Sequence, residues 1–465
     1  MATIYGKPSC ITYASQMHVV YTQANGSVLD DFYDSDVRKW RQQDLSNRLR
    51  GTPAAIGETF ALTTEGQRHA LFRDERNHVI HVYYVHEKGW RQDDLTDLTG
   101  APEAASDPTA LVYDDAMQVF FRDARNQVAR LVWTDRGWRY ENLSTTLTGI
   151  PAAEGRPSVL AYYGQLHLVF RLSGGDLYHL YRDPKDGWRS DWLMSVAKGA
   201  RPAAGEPFMM ATDKQLHVLY RDTRDAISHV YYANGWRAEV LDEKVDDAPG
   251  AKGDPCGIVY GDRMRVFFRS KNDDIYQYHF MGDSKWGMTR LNEKVGDSVG
   301  AKGDPATLIF ANQNHVVYRD ARGRLADLYA SGDKWHHQVI DDKLFPLPEV
   351  GEITLKNEGL FLVSQRFVYF DADGREQTTR PTSNPYAKGK SYTAAPSEYG
   401  VPDGAEVWVY AQVSIGRSPL ARVPCINRKG SSVTARYTIT GTTQDNDIEF
   451  DGVDAQQLAA AGDES

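Results

Sequence analysis

Cysteine is scarce in this chain: Cys10, Cys256 and Cys425 are the three in 465 residues, an odd count. A disulfide framework is thereby excluded, and synthesis in a reducing compartment is expected. Long apolar runs are missing too. No stretch approaches the roughly 20 apolar residues a membrane-crossing helix needs, so no membrane span is expected. The opening MATIYGKPSCITY has no charged start and no apolar stretch behind it, unlike a secretory leader. The expected location is cytoplasmic, with release to the outside by a non-classical route as the alternative. An excess of basic charge is absent as well. There are 53 Lys and Arg against 63 Asp and Glu, a net charge of −10, and the basic residues are scattered singly. Nucleic acid is therefore not an expected partner. Catalytic signatures are equally lacking: there is no GxSxG, no HExxH and no phosphate-cradling glycine loop. DADG at Asp371 to Gly374 lacks the remaining ligands of a calcium loop and reads as a hairpin turn. No enzyme, cofactor or metal site is expected.

What is present is a phrase said seven times. From His217 to Leu241 the chain reads HVLYRDTRDAISHVYYANGWRAEVL: two strand-length runs rich in Val, Ile and Tyr, a polar turn between them, and a Trp-led third run. The phrase recurs at His18, His69, Gln118, His167, Arg265 and His315. Its tryptophan recurs at Trp40, Trp90, Trp138, Trp188, Trp236, Trp286 and Trp335, with spacings of 48 to 50 residues. Ahead of each phrase lies one more strand, usually opened by proline (Pro8, Pro108, Pro157, Pro207, Pro255, Pro305), where a missing N–H costs no ladder bond. Four strands in a repeat of this length make one propeller blade.

The chain is therefore expected to be all-β: a seven-bladed β-propeller over residues 1–346, followed by a C-terminal β-sandwich over 351–465. The repeats fall near 5–50, 51–101, 102–150, 151–200, 201–248, 249–298 and 299–346. Repeats five and six share EKV and GAKGDP almost word for word. Cys10 and Cys256, in the first strands of repeats one and six, are not expected to be neighbours. PLPEV at 346–350 reads as a short stiff linker. Beyond it EITLKN, LFLVSQRFVYF, AEVWVYAQVSI, SVTARYTITG and DIEFDGV alternate as strands, and the tail QQLAAAGDES reads as frayed.

Polar residues recur at fixed places inside the strands. The second strand of each repeat opens with His18, His69, Gln118, His167, His217, Arg265 and His315. The third carries Asp30, His81, Arg130, His179, His229, Gln277 and Asp327 at the matching place. Such columns either satisfy buried polar groups in every blade or present donors and acceptors to a ligand. The Arg column (Arg73, Arg122, Arg171, Arg221, Arg269, Arg319) suits a structural turn. The indoles suit packing or sugar stacking. Zinc is disfavoured, because positions equivalent to His217 and His229 change to Gln, Arg and Asp, which is no fixed ligand set.

The order HVLYRD, AISHVYYANGW and then a loop such as GAPEAASDP resembles the blade of the fungal fucose-binding propeller lectins, over about residues 5–346. The resemblance implies a non-enzymatic protein that binds glycans or glycoconjugates in clefts between blades, through an Arg, an acid or amide, and an aromatic residue of the next blade. By position, the Arg falls on the first column and the acid or amide on the second. The set Arg265, Gln277 and Trp335 matches. Histidine replaces those groups in the sets His217, His229, Trp286 and His69, His81, Trp138. The described members are six-bladed, whereas seven repeats are counted here. A multivalent lectin, of defence or toxin type, is the expected function, with the C-terminal domain serving oligomerisation. The alternative is a protein-interaction scaffold using the propeller face.

Overall fold

The computed structural model describes residues 4–454, apart from 36–37, 87, 262, 297–298 and 333. The tail read as frayed lies outside the described residues. Runs of alternating or continuous apolar residues form seven four-stranded sheets, each built from four consecutive strands. They span 4–44, 55–94, 109–142, 153–192, 208–240, 256–290 and 306–339, each strand pairing with the next in sequence. Between the second and third strands a tight turn needs one residue with left-handed backbone. Asn77, Asn126, Asp225 and Asp273 supply it at φ 59 to 64°, as short polar side chains can. Asp74, Asp123 and Asp222 hold these turns by accepting two backbone N–H groups each.

The second strand of each sheet is buried on both faces; Val218, Leu219 and Tyr220 are wholly inaccessible. Apolar clusters join each of sheets two to six to the sheet that follows it. A further cluster joins Leu308, Val317 and Leu325 of the seventh sheet to Val19, Leu29 and Trp40 of the first. Sheets seven and one therefore meet without exchanging a strand.

The first strands line a cavity of about 320 Å³, and a column of charged residues stitches neighbouring sheets there. Glu58, Asp107, Glu206 and Asp304 each accept a backbone N–H of the preceding sheet, from Lys7, Glu58, Arg156 and Asp254, all at 2.9 Å. Close approach requires glycine beside the acid: a Cβ on Gly57 (φ +78°) would lie 2.1 Å from Asp107 Oδ1. Arg156 reaches Glu58 of the second sheet at 2.9 Å. Cys10 and Cys256 both line this cavity, although neighbouring places were not expected for them. The first and sixth sheets are five apart in sequence, yet the first strands of all seven sheets converge on this cavity. All three cysteines are free thiols.

Several sequence expectations need correction. Pro8 and Pro157 do not open their strands. They sit inside Ile4–Tyr13 and Ala153–Tyr162, within register shifts that excuse the missing N–H. The connections between repeats are not plain loops; one-turn helices such as Leu95–Thr99 and Leu193–Val196 each bury their leading leucine. PLPEV is not only a linker, since Glu349–Val350 pairs in parallel with Cys425–Asn427.

A second compact unit comprises residues 345–454 together with 48–50 and the described residues of 84–91. It contains a five-stranded sheet and a four-stranded one. Their inward side chains, among them Ile353, Leu355, Phe367, Val407, Val409, Tyr437 and Ile439, share one buried cluster. The Asp371 turn joins Val363–Phe370 to Glu376–Thr378 as a hairpin.

Candidate functional site

The recurrent polar columns meet side by side. In all seven sheets the residue of the second strand hydrogen-bonds its counterpart on the third, twelve positions on: His18–Asp30, His69–His81, Gln118–Arg130, His167–His179, His217–His229, Arg265–Gln277 and His315–Asp327. The strands place them diagonally, as His217 lies opposite Tyr231 and Leu219 opposite His229. A third column, missed in the sequence, completes each row. Three residues after the tryptophan stand Gln43, Asp93, Glu141, Asp191, Glu239, Thr289 and Gln338 on the fourth strand. Where the third strand carries an acid the fourth supplies an amide donor, as Gln43 to Asp30 at 2.6 Å and Gln338 to Asp327 at 2.9 Å. Where the third strand carries a histidine or arginine the fourth supplies an acid, as Arg130 to Glu141 at 2.6 Å and His179 to Asp191 at 3.1 Å. That complementarity is what a buried row requires of its members.

In the fifth sheet the row fixes the tautomers. Glu239 can only accept, so His229 donates from Nδ1 (3.0 Å) and accepts at Nε2 from His217 Nδ1 (2.9 Å). His217 Nε2 then accepts from the Thr212 hydroxyl at 3.2 Å. All four imidazole nitrogens are engaged within the protein. In the second sheet Thr64 and His81 engage His69 in the same way, at 2.9 Å each. Burial, and then the neighbouring histidine, push the pKa of His69, His167 and His217 down to about 3. Burial also lowers His81, His179 and His229, against the pull of Asp93, Asp191 and Glu239. These imidazoles are neutral at ordinary pH. Tyr83, Tyr181 and Tyr231 stack on the pairs, with ring centroids 4.5 to 5.1 Å from the second histidine.

Each expected set can now be placed. Trp138 stands edge-on to His81 at 5.7 Å and Trp286 edge-on to His229 at 6.1 Å, so both histidine sets come together across neighbouring sheets. Their histidines are at most 6% exposed, and Trp286 is buried as well. In the third set Arg265 Nη1 donates to Gln277 at 3.4 Å and lies over the Tyr260 ring at 5.0 Å, while Trp335 is edge-on to Phe267.

An open cleft lies elsewhere, between the fourth and fifth sheets. A cavity of about 310 Å³ is lined there by His167, His179 and Trp236 with Tyr162, Tyr163, Tyr181, Tyr232, Asp183, Arg189 and Asp191. Trp236 of the fifth sheet donates its indole N–H to Asp191 of the fourth at 3.0 Å, fixing the ring plane edge-on to His179. The His179 hydrogen bond holds the Asp191 carboxyl below its ordinary pKa. Gln165 and the backbone N–H of Lys185 fix Asp183, and Arg189 pairs with Asp186 at 2.7 Å. The cleft thus offers oriented aromatic faces beside ionised groups, the arrangement that stacks an apolar sugar face while bonding its hydroxyls. Two other clefts are filled by protein: Arg68 enters between sheets one and two to pair with Asp30 at 2.9 Å, and Arg130 of the third sheet lies over Trp188 of the fourth. The sequence signal for this cleft existed, since His167, His179 and Trp236 stand in the same columns as the chosen sets.

No protein-family model matches this chain, and no curated protein matches it in sequence. Solved structures do match in fold. A lectin from Burkholderia pseudomallei, BP39L, superposes with a TM-score of 0.52 at 13% identity, covering 72% of this chain and 98% of that one. The lectin of Aleuria aurantia, described as a six-bladed β-propeller with a novel mode of fucose recognition, gives a TM-score of 0.41 at 15% identity over 62% of this chain and 95% of its own. AofleA from Arthrobotrys oligospora gives 0.42 at 12% over 62% and 86%. The likeness to BP39L shows the fold alone: an all-β chain of repeated four-stranded sheets, as in a β-propeller. Among the described residues no helix is long and apolar enough to cross a membrane.

Proposed function

We propose that this chain is a carbohydrate-binding lectin, built as a seven-bladed propeller (1–346) with a C-terminal β-sandwich (351–465), and that its best-formed sugar site is the cleft between the fourth and fifth blades. The observation that carries this reading is the cavity of about 310 Å³ in which Trp236, Tyr232, Tyr163 and Tyr181 surround Asp183, Arg189 and Asp191. Neighbouring lectins of the same fold support it; one of them is described as recognising fucose. The expected sets at His69, His217 and Arg265 remain further candidate clefts. Because the imidazoles of the first two are engaged internally, those sites would bind through carboxylate and aromatic edges. Several weak clefts would give multivalent binding to a glycan-bearing surface. The reading is one of a binding protein, and a defence or toxin role would follow from that surface binding.

Calorimetric titration of the intact protein with L-fucose, galactose, N-acetylglucosamine and methylated sugars tests it. Saturable binding that Trp236→Ala or Tyr232→Ala weakens, and Arg265→Ala leaves intact, would place the site between the fourth and fifth blades. Binding weakened only by Arg265→Ala would move it to the last two blades. Silence towards every sugar would sink the lectin reading and favour a protein-interaction scaffold.

A further inference from the structure

In the C-terminal unit, loops 358–362, 414–420 and 441–445 are joined by main-chain hydrogen bonds, from Leu360 N to Gly441 O, Ser414 N to Leu362 O and Arg417 N to Thr443 O. They carry Leu360, Leu362 and Ile415 at 72%, 47% and 80% exposure. Phe361, between the two leucines, points the other way into the core. Asn357 holds this loop by donating to Phe361 O at 2.8 Å and accepting from Gly359 N at 2.9 Å. The aliphatic side chains are thus held outward by an ordered backbone rather than left over from a loose one. Exposed apolar groups so grouped mark an interaction surface.

The charge around them tells which kind. Loop 387–390, bonded to Asn357, brings the exposed Lys388 and Lys390. Arg417 is exposed on the tip itself, Lys356 pairs with Glu358 at 2.8 Å and Arg422 with Asp447 at 3.3 Å. With Asp445 and Asp451 included, five basic groups face four acidic ones, a local +1 on a chain of net −10. We propose that this loop cluster docks on an anionic lipid bilayer, Leu360, Leu362 and Ile415 entering the headgroup–acyl boundary while Lys388, Lys390 and Arg417 meet lipid phosphates. Aliphatic side chains flanked by cations are what an interfacial anchor combines, and an acidic chain needs a locally basic face to approach such a membrane.

The test is co-sedimentation of the full chain with sugar-free vesicles of phosphatidylcholine alone and of phosphatidylcholine with phosphatidylglycerol. Binding is expected to the anionic vesicles, weakened by salt, by Lys388→Glu with Arg417→Glu, and about tenfold or more by Leu360→Asp with Ile415→Asp. All four positions are exposed, so thermal melting should show the variants folded, and sugar titration should be unchanged in them. Because the vesicles carry no sugar, failure here leaves the lectin reading standing. The proposal is overturned if the chain ignores anionic vesicles, if the aspartate variants bind them equally, or if light scattering finds a lipid-free dimer that those variants dissolve.

Discussion

His217→Gln isolates the energetics of one buried row. Glutamine already stands in this column as Gln118, so the substitution keeps a hydrogen-bonding side chain at a place where the fold accepts one. The folded His217 has its pKa pushed from 6.5 down to about 3 by burial and by His229. Between those values the unfolded chain takes up a proton that the folded chain refuses, so this group's stabilisation is full above pH 6.5 and lost as pH falls towards 3. One such histidine loses about 2 kcal/mol between pH 7 and pH 5, from the fraction protonated in the unfolded state. Overall stability does not reveal this, because buried acids work in the opposite sense. Burial raises Glu206 to about 7, Asp31 to about 8 and Asp242 to about 6, and each of these is relieved by acidification. The variant retains those acids, so they cancel in the difference. Urea denaturation at pH 7 and pH 5 should show the deficit of His217→Gln shrinking by about 2 kcal/mol on acidification. Parallel stability curves for the two proteins would refute the reasoning, as would an imidazole signal of His217 titrating near 6.5 in the folded protein.

Three further outcomes are expected. Trp236→Phe keeps an aromatic face but removes the donor to Asp191, so sugar affinity in the cleft should fall less than with Trp236→Ala, which should cost about tenfold or more in the same titration. Gly57→Ala forces a Cβ into Asp107 at a positive φ and disturbs the bond from Glu58 N, so calorimetry should show a loss of about 2 kcal/mol or more. Burial pushes the thiol of Cys425 up to about 12 and that of Cys256 to about 11, and raises Cys10 too. A thiol reagent at neutral pH should therefore find almost no reactive cysteine in the native protein and three in denaturant; fast native labelling would contradict this burial.

Much of the architecture is legible because propeller repeats repeat their chemistry. The tryptophan spacing marks seven units, and a four-stranded sheet falls in each. The histidine columns were visible, and so was the column three residues beyond each tryptophan, overlooked because its members change identity from Gln to Asp, Glu and Thr. Those changes make sense only against the third strand, where His179 calls for Asp191 and Asp30 calls for Gln43. The leading leucines of the inter-repeat helices and the in-strand positions of Pro8 and Pro157 were less legible, because a one-turn helix or a bulge leaves too short a pattern in sequence.

Sequence by itself determined the period, the strands and the pairing partners within a sheet, since a side-chain period of two and turn residues at fixed offsets are local properties. Tertiary structure alone decided which cleft stays open. Arg68 fills one cleft and Arg130 stacks across another, while the fourth and fifth sheets leave about 310 Å³ between them. The columns are nearly equivalent as text, but cleft volume depends on which long side chains from two different sheets reach into the same space, and that distance is set only when the sheets pack.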